Sequence, residues 1–153
     1  MSTVLVIDDD ITFLDSMQKL LSHQGYEVLR AGDGTQAMKL IEEFRERIDL
    51  AVVDLALPGV NGFEILGAVT RRPNRVKLIA TTAVYRNSQL EIAGTLGAHA
   101  VIRKPPPGSP LPEAEWLAVV RKLIGVPARG RAARANSLEG NTPENPHGNE
   151  PRQ

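Results

Sequence analysis

The chain contains no cysteine, few aromatic residues and no long apolar run. The absence of cysteine excludes disulfides, thiol nucleophiles and cysteine-ligated metal sites. Aromatic residues make up only 4% of a chain that is 42% hydrophobic, so its core must be built from aliphatic side chains. The longest apolar run near the N-terminus, Val4 to Ile7, is far too short for a signal peptide or a membrane span. We therefore expect a cytoplasmic protein that does not enter a membrane.

The chain also lacks an excess of charge of either sign. Eighteen Lys and Arg residues balance eighteen Asp and Glu residues, so no long-range field favours nucleic acid or an anionic membrane. We expect no direct binding to nucleic acid.

Composition divides the chain near Gly125. Residues 1–125 suit one domain of ordinary size. From residue 126 to 153 the chain is rich in Pro, Gly, Asn and Arg, and its only large aliphatic residues are Val126 and Leu138. Such a segment buries too little apolar surface to offset the entropy lost on ordering, which predicts a disordered tail. Because no output domain follows, we expect a stand-alone protein that signals through protein contacts.

Residues 1–125 alternate between short aliphatic runs and amphipathic helical patterns. The runs predict five strands, at residues 4–7, 28–29, 50–53, 76–80 and 100–102. Five helical patterns follow them, and the apolar face of the second contains Ala37, Ile41, Phe44 and Ile48. The fourth, residues 89–96, is weakened by a glycine, and the fifth covers residues 113–124. This alternation predicts an α/β fold, a five-stranded parallel sheet flanked by five helices on both faces.

Polar residues closely follow four of the apolar runs. They are Asp8, Asp9 and Asp10, then Asp54, Thr82 and Lys104. Because the carboxyl ends of parallel strands meet at one edge of a sheet, we expect these side chains in one crevice. Converging carboxylates repel one another and are costly to desolvate, and a divalent cation such as Mg²⁺ resolves the conflict. There Asp54 could attack phosphorus, while Lys104 and a hydroxyl hold phosphoryl oxygens.

Residues 3 to 125 resemble a two-component response regulator receiver domain throughout. The matching segments are Asp8-Asp9, Asp54 through Pro58 and Gly62 to Glu64, Thr82-Ala83, and Gly97-Ala98 leading to Lys104-Pro105. The resemblance implies a flavodoxin-like doubly wound receiver fold and a phosphoacceptor switch, which is not an enzyme in the ordinary sense. It also implies a histidine kinase or histidine phosphotransfer protein as phosphodonor, and a downstream protein that the sequence does not identify.

The resemblance assigns roles to individual residues. It implies that Asp54 is the phosphoacceptor and that Thr82 is a switch hydroxyl. It implies Mg²⁺ as the cofactor, with ligands from Asp8, Asp9, Asp54 and the backbone carbonyl of Ala56. It further implies that Thr82, Ala83 and Lys104 bind the phosphoryl group, and that the Lys104–Pro105 peptide is cis.

The chain departs from the usual receiver pattern at three positions. Receivers usually carry Tyr or Phe where this chain has Val101, which puts the aromatic signal of activation in doubt. Ala56 and Val84 flank the approach to Asp54 and offer no polar group that would orient water. We therefore expect slow loss of the phosphoryl group.

The apolar face of the last predicted helix is wider than a one-sided surface helix needs. Trp116, Val119 and Leu123 extend it sideways. Because receivers commonly signal through this region, we expect the edge with Trp116 to form a partner or dimer surface. The alternative is deeper packing of these residues within the domain.

Two other functions fit parts of the pattern. The sequence Asp8-Asp9-Asp10-Ile11-Thr12 resembles the opening motif of haloacid-dehalogenase-like phosphatases, with Asp8 as nucleophile and Asp10 as acid/base. That family needs further carboxylates after the lysine, which this chain lacks at a strand end. The other alternative is a receiver fold that works as an unphosphorylated adaptor, which Val101 favours. Taken singly, Asp10 could simply cap a helix.

Overall fold

A computed structural model describes residues 2–57, 59, 62–70, 76–83, 91, 94, 95 and 97–127. Its elements are β1 (Thr3–Ile7), α1 (Ile11–His23), β2 (Glu27–Ala31), α2 (Gly34–Glu43), β3 (Ile48–Asp54), α3 (Gly62–Thr70), β4 (Lys77–Thr82), β5 (Ala100–Arg103) and α4 (Glu113–Ile124). The helix predicted at residues 89–96 lies largely outside the described residues, as does the predicted tail from residue 128 onward.

The five strands form one parallel sheet in the order β2-β1-β3-β4-β5. This is the strand order of flavodoxin-like doubly wound folds, which confirms the predicted fold class. The direction of the connections reverses between β1 and β3, so the carboxyl ends of these two strands border the crevice in which such folds bind ligands.

Helices cover both faces of the sheet. Val4 and Val6 point to one face, in a buried cluster with side chains of α1 and α4. Leu5 and Ile7 point to the other face, in a cluster with side chains of α2 and α3. Because both faces are covered, the strands are apolar at consecutive positions, as their sequences predicted.

The assignment of Ile48 to the second helix is wrong. Helix α2 ends at Glu43, and Ile48 opens β3. The backbone N–H of Ile48 still donates to the carbonyl of Phe44 at 3.2 Å, so the connecting turn keeps helical spacing beyond the end of the helix. That turn explains why the spacing of apolar residues wrongly placed Ile48 in the helix. Among the described residues, no helix has both the length and the apolar character needed to cross a membrane.

Candidate functional site

Asp54 is the last residue of β3 and has only 4% of its surface exposed. The backbone N–H of Ala56 donates to Asp54 Oδ1 at 2.8 Å and fixes the carboxylate. Gly62, the first residue of α3, lies against the backbone of Asp54: a Cβ atom at Gly62 would fall 2.2 Å from the Asp54 carbonyl oxygen. The close approach of α3 therefore requires glycine and sets the position of the strand end.

Asp8 and Asp9 follow β1, which pairs with β3, and lie beside Asp54. One carboxylate oxygen from each of the three residues lies within 4.8 Å of the others. Asp8 and Asp54 are buried and Asp9 is exposed. Three carboxylates at this spacing are hard oxygen ligands that could hold a divalent cation.

The environment of Asp8 favours its protonated form. Burial raises the pKa of Asp8 from its ordinary value of 3.8 to about 6, and the charge of Asp54 acts in the same direction. The N–H of Asp10, which donates to Asp8 Oδ1 at 2.9 Å, and the ammonium of Lys104 oppose this rise. Like charges are therefore crowded together at this edge of the sheet, and a cation placed between them would relieve the repulsion.

Lys104 follows β5 and brings a positive charge to the site. Its Nζ lies 2.9 Å from Asp8 Oδ2, 3.7 Å from Asp54 Oδ2 and 3.9 Å from Asp10 Oδ2. Burial alone would lower the pKa of Lys104, but the hydrogen bond to Asp8 and the three carboxylate charges outweigh burial and raise it. The lysine is therefore a permanent cation within reach of the proposed acceptor.

Thr82 ends β4, between the strands that carry Asp54 and Lys104. It is 2% exposed, and its carbonyl accepts the backbone N–H of Lys104 at 3.0 Å. Ala83 follows it and is exposed. The neighbouring Thr81 points its hydroxyl elsewhere, donating to the carbonyl of Val53 at 3.4 Å. Val84 lies outside the described residues.

Asp10 lies beside the carboxylate cluster and caps a helix. Its Oδ1 accepts the backbone N–H groups of Thr12 and Phe13, at 3.0 and 3.3 Å, which fixes the start of α1. Asp10 thus acts as the N-cap of α1. Val101 is half-buried and packs against the core on the side of α2 and α3.

Two sequence predictions near the site are wrong. Trp116 does not form an exposed edge of α4, because its side chain is completely buried and meets Phe13 edge-on, with ring centroids 5.8 Å apart. The deeper packing explains the wide apolar face of this helix, and Val119 and Leu123 are half-buried.

The second wrong prediction is the cis peptide, because the Lys104–Pro105 peptide is trans. The trans form is the intrinsic preference of X–Pro bonds.

The sequence did not reveal the contact between Lys104 and Phe13. The Lys104 ammonium lies over the ring of Phe13, 5.1 Å from its centroid. Both residues border a cavity of about 220 Å³ that extends towards Ser109 and Leu111. The period of apolar residues within a helix does not show which residue from another part of the chain lies opposite a given side chain.

Similarity to known proteins agrees with this geometry. The model of the response regulator receiver domain family matches residues 4–114. Transcriptional regulatory protein AfsQ1 of Streptomyces coelicolor is 35% identical over 124 residues, which cover 80% of this chain and 52% of that protein. DNA-binding response regulator MtrA of Mycobacterium tuberculosis is 33% identical over 102 residues, or 67% of this chain and 43% of that protein.

The chain thus spans about half the length of these curated relatives. Among solved structures, a response regulator receiver domain from Clostridium thermocellum is 25% identical with a TM-score of 0.73, and the match covers 90% of this chain and 99% of that one.

Proposed function

We propose that this chain, which belongs to the response regulator receiver domain family, is a switch that accepts a phosphoryl group on Asp54. The observation that carries the proposal is the meeting of Asp8, Asp9, Asp54 and Lys104 at one edge of the sheet. A lysine with a side chain only 10% exposed, next to three carboxylates, is a poor arrangement for stability alone. The lysine matches the negative charge of a phosphoryl group, and the carboxylates match the charge of a cation.

The carboxylates of Asp8, Asp9 and Asp54 fit Mg²⁺, and the carbonyl of Ala56 is proposed as a further ligand. The fit rests on the donor set of hard oxygens, on their mutual distances within 4.8 Å and on the raised pKa of Asp8, which comes first from burial and then from the charge of Asp54. When bound there, Mg²⁺ supplies positive charge that offsets the repulsion between these carboxylates and the oxygens of an incoming phosphoryl group.

The proposed reaction is an in-line transfer from a phosphohistidine. A carboxylate oxygen of Asp54 forms a bond to phosphorus as the bond from phosphorus to the imidazole nitrogen breaks, and the electron pair of that bond returns to the imidazole. The products are an acyl phosphate on Asp54 and a free histidine side chain. Lys104, Thr82 and the backbone at Ala83 would bind the oxygens of the transferred group.

Partners follow from this chemistry. The donor would be a histidine kinase or a histidine phosphotransfer protein, and the signal would pass to a further protein. The half-buried Val119 and Leu123 remain candidates for such a contact or for a dimer, without Trp116. The boundary near residue 125, a disordered tail and a cytoplasmic location also remain part of the proposal.

The test is incubation of the purified chain with acetyl phosphate, followed by intact-mass measurement. We expect one added phosphoryl group with Mg²⁺ and none in excess EDTA. An unphosphorylated adaptor would show no addition under either condition. A phosphatase that uses Asp8 as nucleophile would lose its label in Asp8→Asn but keep it in Asp54→Asn, the reverse of our expectation for Asp54→Asn.

A further inference from the structure

The ammonium of Lys104 has an aromatic neighbour as well as acidic ones. Two carboxylate oxygens of Asp8 lie 2.9 and 3.0 Å from Nζ, and the ring of Phe13 lies below the ammonium with its centroid 5.1 Å away. Phe13 is 5% exposed and the Lys104 side chain is 10% exposed, so little water separates the cation from the ring.

We propose that Phe13 is a positioning residue for phosphoryl transfer, because its ring face holds the Lys104 ammonium between Asp8 and Asp54. The inference rests on the proposed function and adds a residue to that site. The face of an aromatic ring carries negative potential and attracts a cation within about 6 Å, most strongly where water is excluded.

The position of the ring is itself fixed from two sides. Its backbone N–H donates to Asp10 Oδ1, and the ring packs against Trp116 at an interplanar angle of 62°. Four methylene groups join the lysine ammonium to the backbone, so its position depends on the groups around it, which are the carboxylate of Asp8 and this ring. A ring held in this way can therefore keep the ammonium 3.7 Å from Asp54 Oδ2, where it would meet a phosphoryl oxygen.

A purely structural role for Phe13 is the competing explanation, because the ring also belongs to the core between α1 and α4. The two roles differ in what they require. Core packing requires apolar volume, which leucine largely supplies, whereas positioning requires the electron-rich face. Tyrosine keeps that face, and Phe13 borders a cavity of about 220 Å³.

The experiment measures the rate of phosphorylation by acetyl phosphate and Mg²⁺ in wild type, Phe13→Leu and Phe13→Tyr. We expect Phe13→Leu to slow phosphorylation about fivefold and Phe13→Tyr to restore most of the rate. Phenylalanine carrying one to three fluorine atoms, placed at position 13 alone, should slow the reaction progressively with little change in shape. Leu20→Ala is the control, because Leu20 is buried in the same cluster and should lower stability without changing the rate.

A second measurement does not depend on phosphorylation. In EDTA, a double-mutant cycle of Phe13→Leu and Lys104→Met should show coupling of about fivefold in the unfolding equilibrium constant, and the cycle of Leu20→Ala with Lys104→Met should show none. If the wild type is phosphorylated but the Phe13→Leu rate is unchanged, or if the cycle shows no coupling, the inference is overturned. A wild type that accepts no phosphoryl group would instead overturn the proposed function.

Discussion

The ammonium of Lys104 lies over the carboxylate of Asp8, 2.9 Å from Oδ2 and 3.0 Å from Oδ1, and 3.7 Å from Asp54 Oδ2. Asp8 thus holds the lysine beside Asp54. Asp8 is buried and the Lys104 side chain is only 10% exposed, so the pair depends on the remaining charges of the site. This arrangement determines how pH and Mg²⁺ should act on the stability of the chain.

In metal-free buffer, Asp8 should make the chain less stable as pH rises. Its pKa is raised from 3.8 to about 6, so the folded chain binds this proton more tightly than the unfolded chain. The stability that the proton contributes is complete below about pH 4 and is lost as pH rises through about 6. The loss should be on the order of 2 to 3 kcal/mol.

Urea unfolding between pH 4 and 7 in EDTA measures this effect as the difference between wild type and Asp8→Asn, which has no such proton. The unfolding free energy of Asp8→Asn should increase relative to that of the wild type as pH rises. Mg²⁺ at pH 7 should stabilise the wild type and have little effect on Asp8→Asn. A stability difference that does not change with pH would contradict the assigned environment of Asp8.

His99 should give the opposite pH dependence. Its backbone N–H donates to the carbonyl of Leu78 at 2.8 Å, and its Nδ1 accepts the N–H of Leu78 at 3.1 Å. The pKa of His99 is lowered, first by burial and then by the charge of Lys77. The hydrogen bond to neutral His99 therefore stabilises the fold above pH 6.5, the ordinary pKa of histidine. This stabilisation is lost as pH falls through the lower pKa of the folded chain, because protonated Nδ1 cannot accept the N–H of Leu78.

His99→Asn is the matched variant, since its Oδ1 occupies the branch position of Nδ1 and does not titrate. Thermal unfolding at pH 5 and 7.5 should show a small loss of stability in the wild type at the lower pH, relative to His99→Asn, because His99 is exposed and solvent weakens the effect of its charge. Identical pH responses of the two proteins would show that the hydrogen bond from Leu78 does not depend on the imidazole.

Gly62→Ala should distort the acceptor. The new Cβ would lie 2.2 Å from the carbonyl oxygen of Asp54 and 2.6 Å from Cα of Leu55, and backbone atoms cannot yield as a flexible side chain would. We expect a loss of about 3 kcal/mol in unfolding free energy and slower phosphorylation. Gly94→Ala is the control, because nothing lies within 4 Å of its added Cβ. Equal stability of the two variants would contradict the close packing of α3 on β3.

Much of the fold was predictable from the sequence because the covered strands and the amphipathic helices have different apolar periods. The strand ends brought Asp8, Asp54, Thr82 and Lys104 to one edge of the sheet, as predicted. Boundaries were less certain, since Ile48 keeps helical spacing after the helix has ended.

Contacts between distant elements were harder to predict. A wide apolar face on α4 fits a partner surface and a deep core equally well, and only the packing of Trp116 on Phe13 distinguishes them. The contact of Phe13 with Lys104 joins residues on different elements far apart in the chain. No pattern local to either residue signals it.

The phosphoryl group on Asp54 should be lost slowly, because the side chains at positions 56 and 84 have no polar group. Ala56 is exposed at the mouth of the site and cannot orient a water molecule for in-line attack. We expect Ala56→Asn to speed the loss of the phosphoryl group about tenfold, which corresponds to about 1.4 kcal/mol of barrier. Val84→Glu should act in the same direction. The rate is measured by following the decay of the acyl phosphate by mass at fixed Mg²⁺ and pH. Unchanged rates in both variants would show that other groups place the water.

The central claim is that Asp54 is the residue that carries the phosphoryl group. Reduction with borohydride converts an aspartyl phosphate to homoserine, and peptide mapping then locates the modified position. After treatment with acetyl phosphate and Mg²⁺, we predict homoserine at position 54 in the wild type and at no position in Asp54→Asn. Homoserine at position 8, 9 or 10, or its complete absence from a wild type that gained the mass of a phosphoryl group, would contradict the account.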